Sequence, residues 1–276
     1  MIGSIIGDII GSRFEGQDKN PICKEFDLFP ERTYFTDDTV MTVAIADAIL
    51  GITDYGEAIR EYYNRYPKAG YGGSFKLWGK DKNAAPYNSF GNGSAMRVSP
   101  VAYAFESLER VLQEAKLTAE PTHNHPEGVK GAQAIAHAIW LARKGASKKD
   151  IAEMIEGMGY ELEPLPDRPI MFDASCQGTV PQAVQSFLES EDFEDAIRIS
   201  IMSGGDSDTI ASIAGAIAEP FYNDIQNDIM IETFKRLPKD LSDMTVTFVQ
   251  KYINPNFVKP AEYSDSARLQ EMFRNL

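Results

Sequence analysis

Two short acidic segments concentrate the residues best suited to chemistry. Thr36-Asp37-Asp38-Thr39-Val40 and Asp206-Ser207-Asp208-Thr209-Ile210 each offer two carboxylates and a hydroxyl within four residues, directly before an apolar run. Superposing Asp38-Thr39-Val40 on Asp208-Thr209-Ile210 also pairs Thr42 with Ser212, Val43 with Ile213 and Ala44 with Ala214. Asp, Ser and Thr at a helix start accept hydrogen bonds from its free N–H groups and suit its dipole, so capping explains part of the pattern. Two carboxylates per start exceed what one cap requires. Four of them at the ends of buried helices would repel one another unless protonated or bridged by cations. Oxygen-only donors favour Mg²⁺, Mn²⁺ or Ca²⁺ over zinc. If the two starts face each other, they form a binuclear site able to orient substrate hydroxyls and activate water.

A second group of residues lies in loops. Ser89-Phe90-Gly91-Asn92-Gly93-Ser94 is rich in glycine and turn formers, so its N–H groups can converge on an anion, although an ordinary turn has the same composition. Arg97 follows closely, with a fork suited to phosphate oxygens or equally to a structural ion pair. All three histidines fall together. His137 sits inside a helical pattern and reads as structural, whereas His123 and His125 precede Pro126 at the start of that helix. No cysteine or third histidine is placed to complete a zinc site with them.

The elements that must position these residues are helical. The chain has 276 residues, 43% of them hydrophobic and 25% charged, which suits one large globular domain. Helical periodicity marks residues 38–50 (closed by Gly51), 131–144, 148–158, 181–188, 193–202 and 208–219, the last expected to stop at Pro220. Residues 245–249 could pass for a strand, but a lone strand has no partner, so they are expected to be helical or irregular. Residues 66–97 and 161–173 read as long loops of the kind that carry function. Gly3, Gly7 and Gly11 leave a bare stripe on an N-terminal helix that a neighbour can approach closely, so this segment reads as a buried helix rather than a signal. No apolar run reaches the ~18 residues of a bilayer span.

Charge and cysteine usage narrow the partners. With 27 basic and 41 acidic residues the net charge is -14, which disfavours general nucleic-acid binding. An anionic ligand would need a local device, such as a metal ion or converging N–H groups. Only Cys23 and Cys176 occur, far apart, which fits a reduced, cytoplasmic setting.

Taken in order, five motifs resemble the ADP-ribosylglycohydrolases, among them dinitrogenase reductase-activating glycohydrolase and its eukaryotic relatives. They are Gly7-Asp8 with Gly11 to Glu15; Thr36-Asp37-Asp38-Thr39; Gly91-Asn92-Gly93-Ser94-Ala95-Met96-Arg97; Thr122-His123-Asn124-His125-Pro126; and Gly204-Gly205-Asp206-Ser207-Asp208-Thr209-Ile210-Ala211. The resemblance covers residues 3–219. The resemblance implies an all-α orthogonal multi-helix bundle, with residues 1–276 as one domain. It implies two Mg²⁺ (or Mn²⁺) ions held by Thr36, Asp37, Asp38, Asp206, Asp208 and Thr209 beside the distal ribose of the substrate. It gives catalytic parts to Glu15, Asp37 and Asp208. It places Gly91, Asn92, Gly93, Met96, Arg97, His123, His125, Gly128, Gly204 and Gly205 around the diphosphate and ribose, with Tyr71, Phe75, Trp78, Tyr87 and Phe90 as candidates for adenine stacking.

The activity implied is Mg²⁺-dependent hydrolysis of the glycosidic bond between ADP-ribose and an acceptor. ADP-ribosyl-arginine on protein is the first expectation; serine and other linkages occur in relatives. The partner would be an ADP-ribosylated protein or small ADP-ribosylated acceptor, with no membrane involved. One rival is a non-catalytic ADP-ribose binder of the same family, but every metal position and Glu15 are present. Another is the Mg²⁺-dependent all-α isoprenoid synthases, which place carboxylates at i, i+1 and i+4 within a helix. Here the residue four after Asp37 is Met41, and the acids precede the helix.

Overall fold

A computed structural model describes residues 1–16, 20–21, 23–166 and 169–260. The first helices are α1 (Ile2–Gly11), α2 (Asp37–Gly51), α3 (Tyr55–Arg65), α4 (Gly73–Lys80), α5 (Gly93–Met96), α6 (Ser99–Ala104) and α7 (Leu108–Ala119). They are followed by α8 (Pro126–Arg143), α9 (Lys148–Gly157), α10 (Cys176–Glu189), α11 (Phe193–Met202), α12 (Ser207–Tyr222), α13 (Asn227–Lys235) and α14 (Lys239–Tyr252). Among the described residues there is no sheet, only two isolated bridges, Gly91 with Ser175 and Ile170 with Gly204. The architecture is the all-α one expected. Buried apolar side chains from Met1 to Val249 belong to one hydrophobic cluster. No described helix is long and apolar enough to cross a membrane.

The glycine stripe explains the tightest packing. A Cβ at Gly3 would lie 2.2 Å from Gly215 O, and one at Gly7 2.1 Å from Ala211 O. A Cβ at Gly11 would lie 2.5 Å from the Cα of Asp208. Helices α1 and α12 therefore run backbone against backbone, closer than any side chain would permit. Ser4 and Ser212 add a hydroxyl contact of 2.8 Å within this seam. The consequence for the site is direct: the acidic start of α12 is pressed against the end of α1.

Several boundaries differ from the sequence reading. Helix α12 runs through Pro220 and ends at Asn223, whose backbone is left-handed (φ 53°). Proline removes one N–H and crowds the carbonyl four residues back. In the last turn that costs a single bond, and burial on α1, α10 and α11 outweighs it. Helix α10 likewise starts at Cys176, capped by the Ser175 side chain, and carries Pro181 inside rather than beginning there. The long stretch 66–97 is not all loop. Phe75 packs against Tyr63 and Tyr71, stacked on Tyr71 at 4.9 Å, and buried Trp78 packs on Phe75, so this aromatic packing folds α4. Residues 245–249 lie within α14.

Candidate active site

The two acidic helix starts meet. Thr209 Oγ1 at the start of α12 donates to Asp38 Oδ2 at the start of α2, 3.2 Å away. One oxygen each from Asp8, Asp38 and Asp208 lies within 4.8 Å of the others, and so does one each from Glu15, Asp206 and Asp208. Thr36 is the N-cap of α2, its side chain accepting from Asp38 N, and Asp206 is the N-cap residue of α12. Asp38, Asp206, Asp208 and Thr209 are buried, Asp37 is half-buried, and Glu15 is exposed at the edge.

Asp8 holds the start of α2 from below. Its Oδ2 accepts from the backbone N–H of Thr36 (2.9 Å) and Thr39 (3.0 Å) and from the Thr39 hydroxyl (2.5 Å). Its Oδ1 accepts from the Thr36 hydroxyl at 2.6 Å. Residue order marks Asp8 only as part of a motif and gives it no part in the site. Its signal was a single acid inside an otherwise apolar helix, which burial makes costly unless it is fully hydrogen-bonded. Donating to Asp8 also turns the Thr36 oxygen lone pairs away from that proton, the arrangement a hydroxyl needs to serve a cation.

Electrostatics in the cluster are strained. Burial pushes the carboxyl of Asp37 up to about 8, with the charge of Asp8, then those of Asp206 and Glu15, adding to the effect. Asp38 is raised by burial and by Asp8, Asp37 and Asp206, and Asp208 by burial and by Asp206 and Asp38. Asp8 is raised by burial against the opposing hydrogen bonds from Thr36 and Thr39. Asp38 Oδ1 is buried with no hydrogen-bond partner. An orphaned carboxylate oxygen among acids that cannot all ionise, in an all-oxygen donor set, fits a hard divalent cation.

The cluster opens into a cavity of about 1130 Å³, large enough for a nucleotide-sized ligand. Gly91, Asn92, Gly93, Met96, Arg97 and His123 line it together with Glu15, Thr36, Asp37, Asp38, Asp206, Asp208 and Thr209. The glycine loop is partly committed to the protein itself. Gly91 N–H goes to Ser89 Oγ (3.1 Å) and Asn92 N–H to Ala174 O (2.8 Å). The Asn92 side chain donates to Asp206 Oδ2 at 2.8 Å and to Thr179 Oγ1 at 3.0 Å, so it ties this loop to the acidic cluster.

Arg97 is fully buried, and Nη2 donates to Thr118 O (2.7 Å) and Thr122 Oγ1 (2.8 Å). Burial lowers its pKa to about 10. The same Thr122 hydroxyl meets His123 Nδ1 at 2.7 Å. Burial, then the Arg97 charge, holds His123 well below its ordinary pKa, so it is neutral. Gly93 packs under His123 so closely that a Cβ would lie 2.9 Å from Nε2.

Four expected positions stand outside the cavity lining. His125 caps α8, its Nδ1 accepting from Glu127 N. Gly128 lets α8 approach the loop, since a Cβ there would lie 2.6 Å from Ser89 O. Gly204 and Gly205 adopt left-handed backbone (φ 80° and 76°) in the turn that delivers Asp206. Their surroundings include residues 170–176, which continue the loop 161–173 expected to carry function. Ile170 N bonds to Ser203 O and Ile170 O accepts from Gly205 N, while Cys176 N bonds to Phe90 O. Residues 170–176 thus join the turn before Asp206 to the glycine loop. Among the aromatic candidates Tyr71 and Trp78 are core, Phe75 is buried at the cavity wall, and half-buried Tyr87 and 51% exposed Phe90 line the cavity with the equally exposed Phe172.

A family model described as ADP-ribosylglycohydrolase matches residues 1–218. ADP-ribosylhydrolase ARH3 of Mus musculus is 27% identical over 306 residues, covering 80% of this chain and 82% of that protein. ADP-ribosylarginine hydrolase Tri1 of Pseudomonas putida (strain GB-1) is 24% identical over 262 residues, covering 80% and 69%. A solved structure titled "ADP-ribosylglycohydrolase-related protein complex" shares the fold, with a TM-score of 0.71 and 23% identity over 90% of this chain and 95% of that one. With its acids gathered as described and its sequence matched over most of its length, the chain belongs to the ADP-ribosylglycohydrolase family, a family of glycosyl hydrolases.

Proposed function

We propose that this protein hydrolyses the glycosidic bond between the distal ribose of ADP-ribose and an acceptor, using two Mg²⁺ (or Mn²⁺) ions. The acceptor proposed first is an arginine side chain of a cytoplasmic protein, and residues 1–276 would act as one domain. The observation that carries this reading is the contact between Thr209 and Asp38, which brings both acidic helix starts to one cavity.

Thr36, Asp37, Asp38, Asp206, Asp208 and Thr209 would hold the cations. Bound there, the cations would supply the positive charge that fixes a ribose diol and makes water easier to deprotonate. Asp37, half-buried on the cavity wall, would take a proton from the attacking water once the bound cations keep it ionised. Glu15, at the exposed edge beside Asp206 and Asp208, would orient the sugar or carry a proton to the departing acceptor. The carboxylates around the anomeric carbon would favour the positive charge that develops as the bond breaks.

Gly91, Gly93 and Met96, with neutral His123 beside them, form the wall proposed for the diphosphate. Its affinity would come from aimed backbone dipoles rather than from the net charge of -14. Phe90 and Phe172 offer apolar faces for the adenine.

The test is to incubate the protein with arginine-, serine- and nucleobase-linked ADP-ribose, with Mg²⁺ or with EDTA, and to follow products by mass. Cation-dependent release of ADP-ribose supports the reading, and the substrate that reacts identifies the acceptor. Tight ADP-ribose binding in calorimetry without release from any substrate would instead make the protein a binder.

A further inference from the structure

We propose that Thr179, which does not line the cavity, is a positioning residue for Asp206 and acts on it through Asn92. The proposal rests on the reading that Asp206 helps to hold a divalent cation. Thr179 lies in the first turn of α10 and is fully buried. Its hydroxyl donates to Asp173 O at 3.0 Å. With that proton committed, the oxygen can only accept, and it accepts from Asn92 Nδ2 at 3.0 Å. The same nitrogen donates to Asp206 Oδ2 at 2.8 Å.

A side-chain amide can sit in either of two rotations, nitrogen or oxygen towards a given neighbour. Here both neighbours, a carboxylate and a committed hydroxyl, are acceptors, so only the NH₂ end satisfies them. Thr179 and Asp206 thereby agree on one rotation of Asn92, and Thr179 anchors the amide from which Asn92 holds one oxygen of the Asp206 carboxylate before any cation arrives. Asp173 O is itself held, because its segment is pinned by Asn92 N to Ala174 O and by Cys176 N to Phe90 O. Without the Thr179 hydroxyl, Asn92 keeps only Asp206 and loses the fixed anchor on the protein side. A group bonded directly to a ligand, as Asn92 is to Asp206, typically changes metal affinity 10- to 100-fold when removed, and Thr179, one bond further out, belongs at the lower end of that range.

The experiment titrates the metal-free protein with Mn²⁺ by calorimetry, comparing wild type, Thr179→Val and Thr179→Ser. Valine keeps the shape and loses the hydroxyl, whereas serine keeps the hydroxyl. The expected result is about tenfold weaker Mn²⁺ binding in Thr179→Val, with Thr179→Ser close to wild type. In turnover assays, raised Mn²⁺ should restore kcat in Thr179→Val while KM for the substrate stays unchanged. Equal Mn²⁺ affinity in wild type and Thr179→Val, or equal weakening in the serine variant, overturns the proposal alone. A wild-type protein that takes up no cation overturns the metal reading and this proposal with it. Should Thr179→Val fail to fold, Thr179→Ala replaces it in the same comparison.

Discussion

Thr209 and Asp38 stand 171 residues apart in the chain, yet the hydroxyl of one donates to the carboxylate of the other at 3.2 Å. This bond closes the gap between two helix starts that each carry a pair of acids. It gathers the acids into one cluster, with Asp8 below the junction and Glu15 at its open edge.

Removing one acid from each start should abolish activity without unfolding the protein. Asp37→Ala and Asp208→Ala are each expected to lower cation-dependent ADP-ribose release by at least ~100-fold, the usual scale for a lost acid–base or electrostatic group. Product mass at saturating Mg²⁺, with circular dichroism as the folding control, checks this. Wild-type rates in either variant would contradict the assignment.

The raised carboxyl pKa values give a sign to the pH dependence of the metal-free protein. A folded carboxyl at about 8 rather than its ordinary 3.8 holds its proton where the unfolded chain has released it. Stability is therefore greatest below the ordinary value and falls as pH climbs through the window up to about 8. In EDTA the melting temperature should drop by at least ~5 °C between pH 5 and pH 8. Mg²⁺ should raise it more at pH 8 than at pH 5, since the cation competes with protons for the same oxygens.

Asp8 is expected to matter for folding as well as for the site. Asp8→Ala leaves four donors of the α2 start, on Thr36 and Thr39, without their acceptor. Each buried unsatisfied group costs about 1–3 kcal/mol, so a loss of at least ~3 kcal/mol in urea unfolding is expected. A loss below ~1 kcal/mol would show that the α2 start finds other partners.

The α1–α12 seam gives a steric prediction. A methyl at Gly7 would stand 2.1 Å from Ala211 O and 2.6 Å from Ser212 N, backbone atoms that cannot rotate away. Gly7→Ala should destabilise by about 2–3 kcal/mol through overpacking. It should also weaken Mg²⁺ binding, since separating these helices moves Asp208 away from Asp38.

At the cavity mouth the effect should fall on binding. Phe90→Ala is expected to raise KM for an ADP-ribosylated substrate by roughly tenfold or more, the scale of one lost base–aromatic stack, with little change in kcat. A variant that loses kcat but keeps KM would place the base elsewhere.

Much of this protein was written locally. Helical periodicity, the glycine stripe and the repeated acidic starts each depend on neighbours in the chain, so the all-α class and the candidate ligands could be read from residue order. Helix ends through Pro181 and Pro220 could not be, because burial against other helices outweighed the proline penalty there. Nor could residue order alone assign Asp8, Asn92 and Arg97. Their hydrogen bonds run to Thr36, Asp206 and Thr118, between 21 and 114 residues away.

Residue order sets which groups are available: oxygen donors in pairs, turn-forming glycines, and too much negative charge for a general anion binder. How they are used depends on the folded arrangement. It turned Asn92 towards Asp206, buried Arg97 against Thr118 and Thr122, and left Phe90 facing the cavity. The reason is physical: composition sets what a side chain can donate or accept, but burial and distance set whether water, the protein or a ligand answers it.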